Sequence, residues 1–138
     1  MLPCACANLR RAARVVTQLY DQELRGTGLR TTQFTLLQAL ESAGRITQGD
    51  LGDVLAIDST TLTRNLRLLA GRGWVRSLSG EDRRERHFQL APAGRRELDR
   101  ARPHWEHAQQ RLRKALGDPQ WEAMQSALLQ IVGAAQRA

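Results

Sequence analysis

The sequence predicts a mainly α-helical fold with one small β-hairpin, and three observations carry that prediction. Apolar residues recur at steps of three and four along most of the 138 residues. Aromatic residues make up only 4% of the chain, which leaves Leu, Ala and Val as core material. A single stretch, WVRSLSGEDRRERHFQL at 74–90, switches to period two. The length suits one domain spanning 1–138, able to bury about two thirds of the surface that its unfolded form exposes.

From Ala5 to about Arg25, Leu9, Ala12, Ala13, Val16, Leu19, Tyr20 and Leu24 mark one face of a first helix, which Gly26 and Gly28 interrupt. Thr31 or Thr32 then caps a second helix with Phe34, Leu37, Leu40 and Ala43 on one face, closed by Gly44. Thr47, with Asp50 three residues on, caps a third helix bearing Leu51, Val54 and Leu55. Asp58 or Ser59 caps a fourth, in which Leu62, Leu66 and Leu69 form a core stripe while Thr60, Thr63, Arg64 and Arg67 lie elsewhere on the circumference. Gly71 and Gly73 end it. Trp74, Leu78, His87 and Leu90 bracket a Ser-Gly-Glu-Asp turn, which predicts two strands and an arginine-bearing tip. A long helical pattern runs from Pro92 to about Leu116, with Pro103 predicted to bend it. Gly117-Asp118-Pro119 separates it from a last helix carrying Trp121, Met124, Leu128, Leu129 and Val132. The end helices, about 5–25 and 92–136, carry apolar faces that the central unit at about 31–90 does not cover, and dimerisation would bury them.

The charge balance names a partner class. Twenty-one basic residues stand against 14 acidic ones, a net of +7, and every basic residue but Lys114 is arginine. Arginine grips phosphate through a planar fork of donors as well as by charge, so polyanions are favoured partners. No apolar run approaches the ~18 residues of a membrane span and no secretory signal pattern opens the chain, so it reads as cytoplasmic, without a membrane partner.

Two short helices joined by a tight turn, followed by a basic hairpin, have the layout of a winged helix-turn-helix. The major groove of DNA admits one helix, and Ser59, Thr60, Thr61, Thr63, Arg64, Asn65 and Arg67 on the fourth helix offer hydroxyls, an amide and guanidinium groups to bases and phosphates. Arg64 and Asn65 suit guanine and adenine. Thr47 and Gln48, opening the preceding helix, join the set, as do Arg83, Arg84 and Arg86 at the hairpin tip. Glu81, Asp82 and Glu85 nearly cancel that tip's charge, which a purely phosphate-binding tip would not need; Asp82 is expected to aim an arginine into the minor groove through a forked salt bridge.

The run DSTTLTRNLRLLAGRGWVRSLSGEDRRERHFQLAPAGR, residues 58–95, resembles the multiple antibiotic resistance regulator (MarR) family of bacterial transcription factors, and the resemblance extends through almost the whole chain. It implies a homodimer whose first and last helices interleave, each subunit presenting one winged helix to half of a palindromic double-stranded operator, most often as a repressor released by a small aromatic ligand or an oxidant. By this likeness Arg84 is the minor-groove arginine and Asp82 its positioning partner. Ala91 departs from the family, which often has a capping Thr there.

The stretch MLPCACANLRR holds both cysteines, Cys4 and Cys6. In a reducing cytosol they are expected as free thiols, and C-x-C spacing suits an internal disulfide poorly. The likeness to the organic-hydroperoxide branch of the family puts Cys6 on a sensing cysteine and Tyr20 on one of its two tyrosine partners, while the second tyrosine position falls on Thr31. A thiolate at a helix N-terminus near Arg10 and Arg11 would be stabilised by dipole and charge. Three readings of the pair stand: packing at a dimer interface, a thiol oxidation switch, and a soft-metal or metalloid site. His104 and His107 share a helix face with zinc-like spacing but lack a third spaced ligand, so no metal and no cofactor is assigned. Trp105 and Trp121 are read as core or as the lining of an aromatic-ligand pocket. A thiol enzyme consuming peroxide through Cys6 is the competing class; no base or oxyanion-hole motif accompanies it, and the chain is not read as an enzyme.

Overall fold

The computed structural model describes residues 2–80, 82 and 84–138. In chain order the elements are α1 (Ala5–Leu24), α2 (Thr31–Ala43), β1 (Arg45–Thr47), α3 (Gln48–Leu55), α4 (Ser59–Gly71), β2 (Val75–Ser79), β3 (Arg86–Leu90), α5 (Pro92–Leu116) and α6 (Asp118–Arg137). The predicted helices and hairpin all form. The three-residue β1 is an addition: it pairs antiparallel with β3, Ile46 opposite Phe88, giving the sheet order β1-β3-β2.

Leu24, Leu29, Phe34, Leu36, Leu37, Leu40, Leu51, Leu62, Leu66, Leu69, Val75, Phe88 and Leu98 make one core, which ties α2, α3, α4 and the sheet to α5 and to the end of α1. Each fully buried leucine contributes about 1.5–3 kcal/mol. Trp105 packs against this core and stacks on Phe34 with ring centroids 5.5 Å apart, so its place is structural. Val54, predicted for the core face of α3, is 70% exposed; it sits at the rim of an open groove between α2 and α3, because the buried arc of so short a helix is filled by Leu51.

Helix ends also differ from expectation. The N-cap of α2 is Arg30, whose N–H donates to Gln33 Oε1, and Thr31 is already helical. Asp21 of α1 supplies the missing acceptor, taking both the N–H and the hydroxyl of Thr31 at 2.8 and 2.7 Å. α5 spans Pro92–Leu116, the expected range, with Pro103 inside it. Its start sits against the hairpin base: the Ala91 N–H donates to the Trp74 carbonyl, and Gly94 packs on the same carbonyl with no room for a side chain.

α6 buries no residue in the single chain, and α1 buries only Tyr20 and Leu24. Leu9, Val15, Leu128, Leu129, Ile131 and Val132 are all exposed on these two helices. Among the described residues no helix is long and apolar enough to cross a membrane.

Candidate nucleic-acid interface

The candidate surface is built from two helix starts and the hairpin. Thr47 caps α3 with its hydroxyl oxygen, which accepts the Asp50 N–H at 3.1 Å. α3 ends on Ala56 in the left-handed region (φ 51°), at a steric cost of about 1 kcal/mol, and that turn delivers Asp58 to the start of α4. Asp58, rather than Ser59, is the cap: its carboxylate accepts the Thr61 N–H at 2.9 Å and the Thr61 hydroxyl at 2.6 Å. The Thr61 hydroxyl and then its N–H hold the Asp58 carboxyl below its usual pKa, with Arg64 adding to the effect.

These bonds sort the predicted readers. The Thr61 hydroxyl is committed to Asp58. The Thr63 hydroxyl donates to the Ser59 carbonyl at 2.8 Å and accepts from Gln48 Nε2 at 2.7 Å, so it locks α3 to α4. The Thr63 proton already goes to Ser59, so Gln48 must present its amide nitrogen to that oxygen, and its carbonyl oxygen remains for the outer surface. Ser59, Thr60, Arg64 and Arg67 are exposed, and Asn65 is half-buried.

The hairpin closes over this surface. A groove of about 670 Å³ has Thr47, Gln48 and Ser59 on its helical side and Arg84 and Arg86 on its hairpin side. An adjoining recess brings together Gln48, Thr63, Arg67 and Arg86. Residues up to 39 positions apart, Thr47 to Arg86, therefore meet at one surface. Among the described residues no carboxylate lies within ion-pair reach of Arg64, Arg67, Arg84 or Arg86. Asp53, which the sequence reading did not place here, also lines the groove, as does Glu85 of the tip.

The tip is organised differently from expectation. Asp82 Oδ1 accepts the backbone N–H of Arg84 at 3.0 Å, and the Asp82 carbonyl accepts the Glu85 N–H at 2.9 Å. Among the described residues Asp82 makes no forked salt bridge; it shapes the turn on which Arg84 stands by binding backbone, which fixes the Cα direction and leaves the guanidinium exposed. Arg83 lies outside the described residues.

The cysteine pair is separate from this surface. Cys4 is the N-cap of α1 and Cys6 lies in its first turn; both are exposed free thiols beside a shallow recess flanked by Arg10 and Arg14. Tyr20 is fourteen residues further along the same helix, about 21 Å of rise. It is buried and donates to Gln109 Oε1, and burial raises its pKa. Cys6 and Tyr20 are therefore not brought together within one chain. His107 bonds Glu23 at 2.7 Å, and among the described residues no group of three or more His, Cys, Asp or Glu could hold a metal ion.

The model of the MarR family matches residues 27–85, the segment that contains this surface apart from Arg86. The transcriptional regulator MosR of M. tuberculosis, solved in complex with DNA, is 35% identical, with 97% of each chain covered and a TM-score of 0.88. The chain belongs to the MarR family. MarR of E. coli itself, as a cysteine-to-serine mutant complexed with operator DNA, shares the fold at 24% identity, with 91% of each chain covered and a TM-score of 0.83. An uncharacterised HTH-type transcriptional regulator of Bacillus subtilis (strain 168), YwoH, is 31% identical over 78 residues, which span 56% of this chain and 57% of that protein. The winged helix-turn-helix expected from the sequence is the architecture this MarR-family chain adopts, and its place is among transcriptional regulators.

Proposed function

We propose that two copies of this MarR-family chain bind a palindromic duplex in the cytoplasm and act as a repressor. Each copy inserts α4 in the major groove and the hairpin tip in the adjoining minor groove. The observation that carries the reading is the groove that sets Thr47, Gln48 and Ser59 against Arg84 and Arg86. Ser59, Thr60, Arg64, Asn65 and Arg67 are the base and phosphate readers of α4, with Thr61 and Thr63 holding the helix in place. Asp82 positions the tip for Arg84 by ordering its backbone. The exposed apolar residues of α1 and α6 are the dimer surface. MosR, solved with DNA, supports the partner class. Function by binding, without turnover, follows from this reading.

Release by a signal is the second half of the proposal. The exposure of two free thiols at a helix start favours thiol oxidation over metal binding: a thiolate takes the terminal oxygen of a hydroperoxide, leaving an alkoxide and a sulfenic acid on Cys6. The test selects the preferred duplex from a random pool and measures its release by hydroperoxide, by a thiol-binding metal and by salicylate-like aromatics, in the native chain and in Cys6→Ser. Oxidant release that is lost in Cys6→Ser supports the switch. Equal release in both defeats it, and release only by the aromatic assigns the signal to a ligand.

A further inference from the structure

The link from α1 to α2 is built as a fixed joint. Thr27 and Leu29 are each 4% exposed, and Gly26 (φ 93°) and Gly28 (φ 79°) hold conformations that other residues resist. The Thr27 hydroxyl donates to the Leu24 carbonyl at 2.6 Å and accepts the Leu29 N–H at 3.2 Å, which folds the link onto the end of α1. Its next two carbonyls are held from elsewhere. The Thr27 carbonyl accepts Arg100 Nη2 of α5 at 3.0 Å, and Glu97 steadies that guanidinium at 2.7 Å. The Gly28 carbonyl accepts Arg72 Nη1 at 3.5 Å, and Arg72 is the C-cap of α4, its guanidinium carbon 5.0 Å from the centre of the Trp74 ring.

Two consecutive carbonyls thus each face a guanidinium, one from the C-cap of the reading helix at the long end of hydrogen-bond range and one, at an ordinary length, from the long helix that joins the end-helix layer. We propose that Arg72 and Arg100 are positioning residues that set the angle of α4 against the end helices, and thereby the half-site spacing that a dimer accepts. The inference rests on the dimer-on-palindrome reading. In a two-fold dimer the distance between the two copies of α4 is set by this angle, because each α4 is carried on its own joint. One added base pair moves a half-site by about 3.4 Å and turns it by about 35°, so a stiff joint resists it and a slack one tolerates it.

The experiment uses the full chain as a dimer on the selected duplex and on versions with one base pair added or removed between half-sites. Arg72→Gln with Arg100→Gln is compared with the native chain, and amide exchange is followed at Thr27 and Leu29. The native chain should lose about tenfold or more in affinity on a spacing change. The double variant should show at most about a third of that penalty, with exchange at Thr27 and Leu29 faster by about tenfold. Lysine at both positions retains a donor and should move the penalty back towards the native value. Loss of guanidinium charge alone weakens every duplex by one factor and leaves the penalty unchanged; that result overturns the proposal. A native chain indifferent to spacing would refute the palindrome reading instead, and the exchange comparison would then decide the joint: unchanged rates overturn it. Should the double variant fail to fold, the single glutamine variants carry the same comparison.

Discussion

Gly94→Ala is the substitution whose effect can be worked furthest from the structure. A Cβ at Gly94 would collide with the Trp74 carbonyl oxygen and stand 2.9 Å from that carbonyl carbon and from Leu90 Cδ1. The obstacle is backbone, so no rotamer change relieves it, and the start of α5 must retreat from the hairpin base by roughly 1 Å in a close-packed region. Overpacking of this kind costs about 1–3 kcal/mol. The same retreat stretches the Ala91 N–H bond to the Trp74 carbonyl, 2.9 Å in the native chain, for a further ~0.5–1.5 kcal/mol. Alanine's better helix propensity returns about 1 kcal/mol. The net destabilisation is about 2 kcal/mol, within a range of about 0.5–3.5, or a fall in Tm of roughly 8 °C for a chain of this length. Urea unfolding at fixed protein concentration measures it, with Gly71→Ala as the control, since nothing lies within 4 Å of a Cβ there and its φ is ordinary. A Gly94→Ala stability within about 0.5 kcal/mol of the native chain would refute the reasoning.

Three further outcomes are expected. Leu129→Asp puts a charge on a side chain that is 78% exposed in the single chain; two copies per dimer should weaken association by about 3–6 kcal/mol, and sedimentation that still shows a full dimer would remove Leu129 from the interface. Thr63→Val deprives the Gln48 amide of its acceptor and should cost about 1 kcal/mol of stability while lowering affinity for the selected duplex more than for random DNA, both read by titration. Asp58 has its pKa lowered in the folded chain, so its cap contributes fully above the ordinary carboxylate pKa and fades as pH falls through the lower folded value. The Tm difference between the native chain and Asp58→Ala should therefore shrink on acidification below about pH 4, and a difference constant down to about pH 2 would count against the cap.

The helices were legible because burial on one side imposes a period on the sequence, as Leu62, Leu66 and Leu69 show in α4. β1 was not, because three residues are too few for a period and its partner, β3, lies some forty positions away. Local propensity also misplaced the cap of α2: Thr31 is a good cap by itself, but Asp21 on a different helix takes that role in space. At the candidate surface the residue types on α4 and the tip were readable from helical arcs and turn chemistry. Which hydroxyls are already spent was not, since the Gln48–Thr63 bond depends on how α3 crosses α4. Toward Arg84, Asp82 uses its carboxylate on the backbone N–H where a bond to the guanidinium was expected, because an Asp two residues before an Arg can reach either group.

The central claim, a dimer reading an inverted repeat through α4 and the hairpin tip, is met most directly by selecting duplexes from a random pool and sequencing those enriched. The account predicts an inverted repeat whose half-sites lie about one helical turn apart. Enrichment of a single unrepeated site, or of no sequence at all, would contradict it.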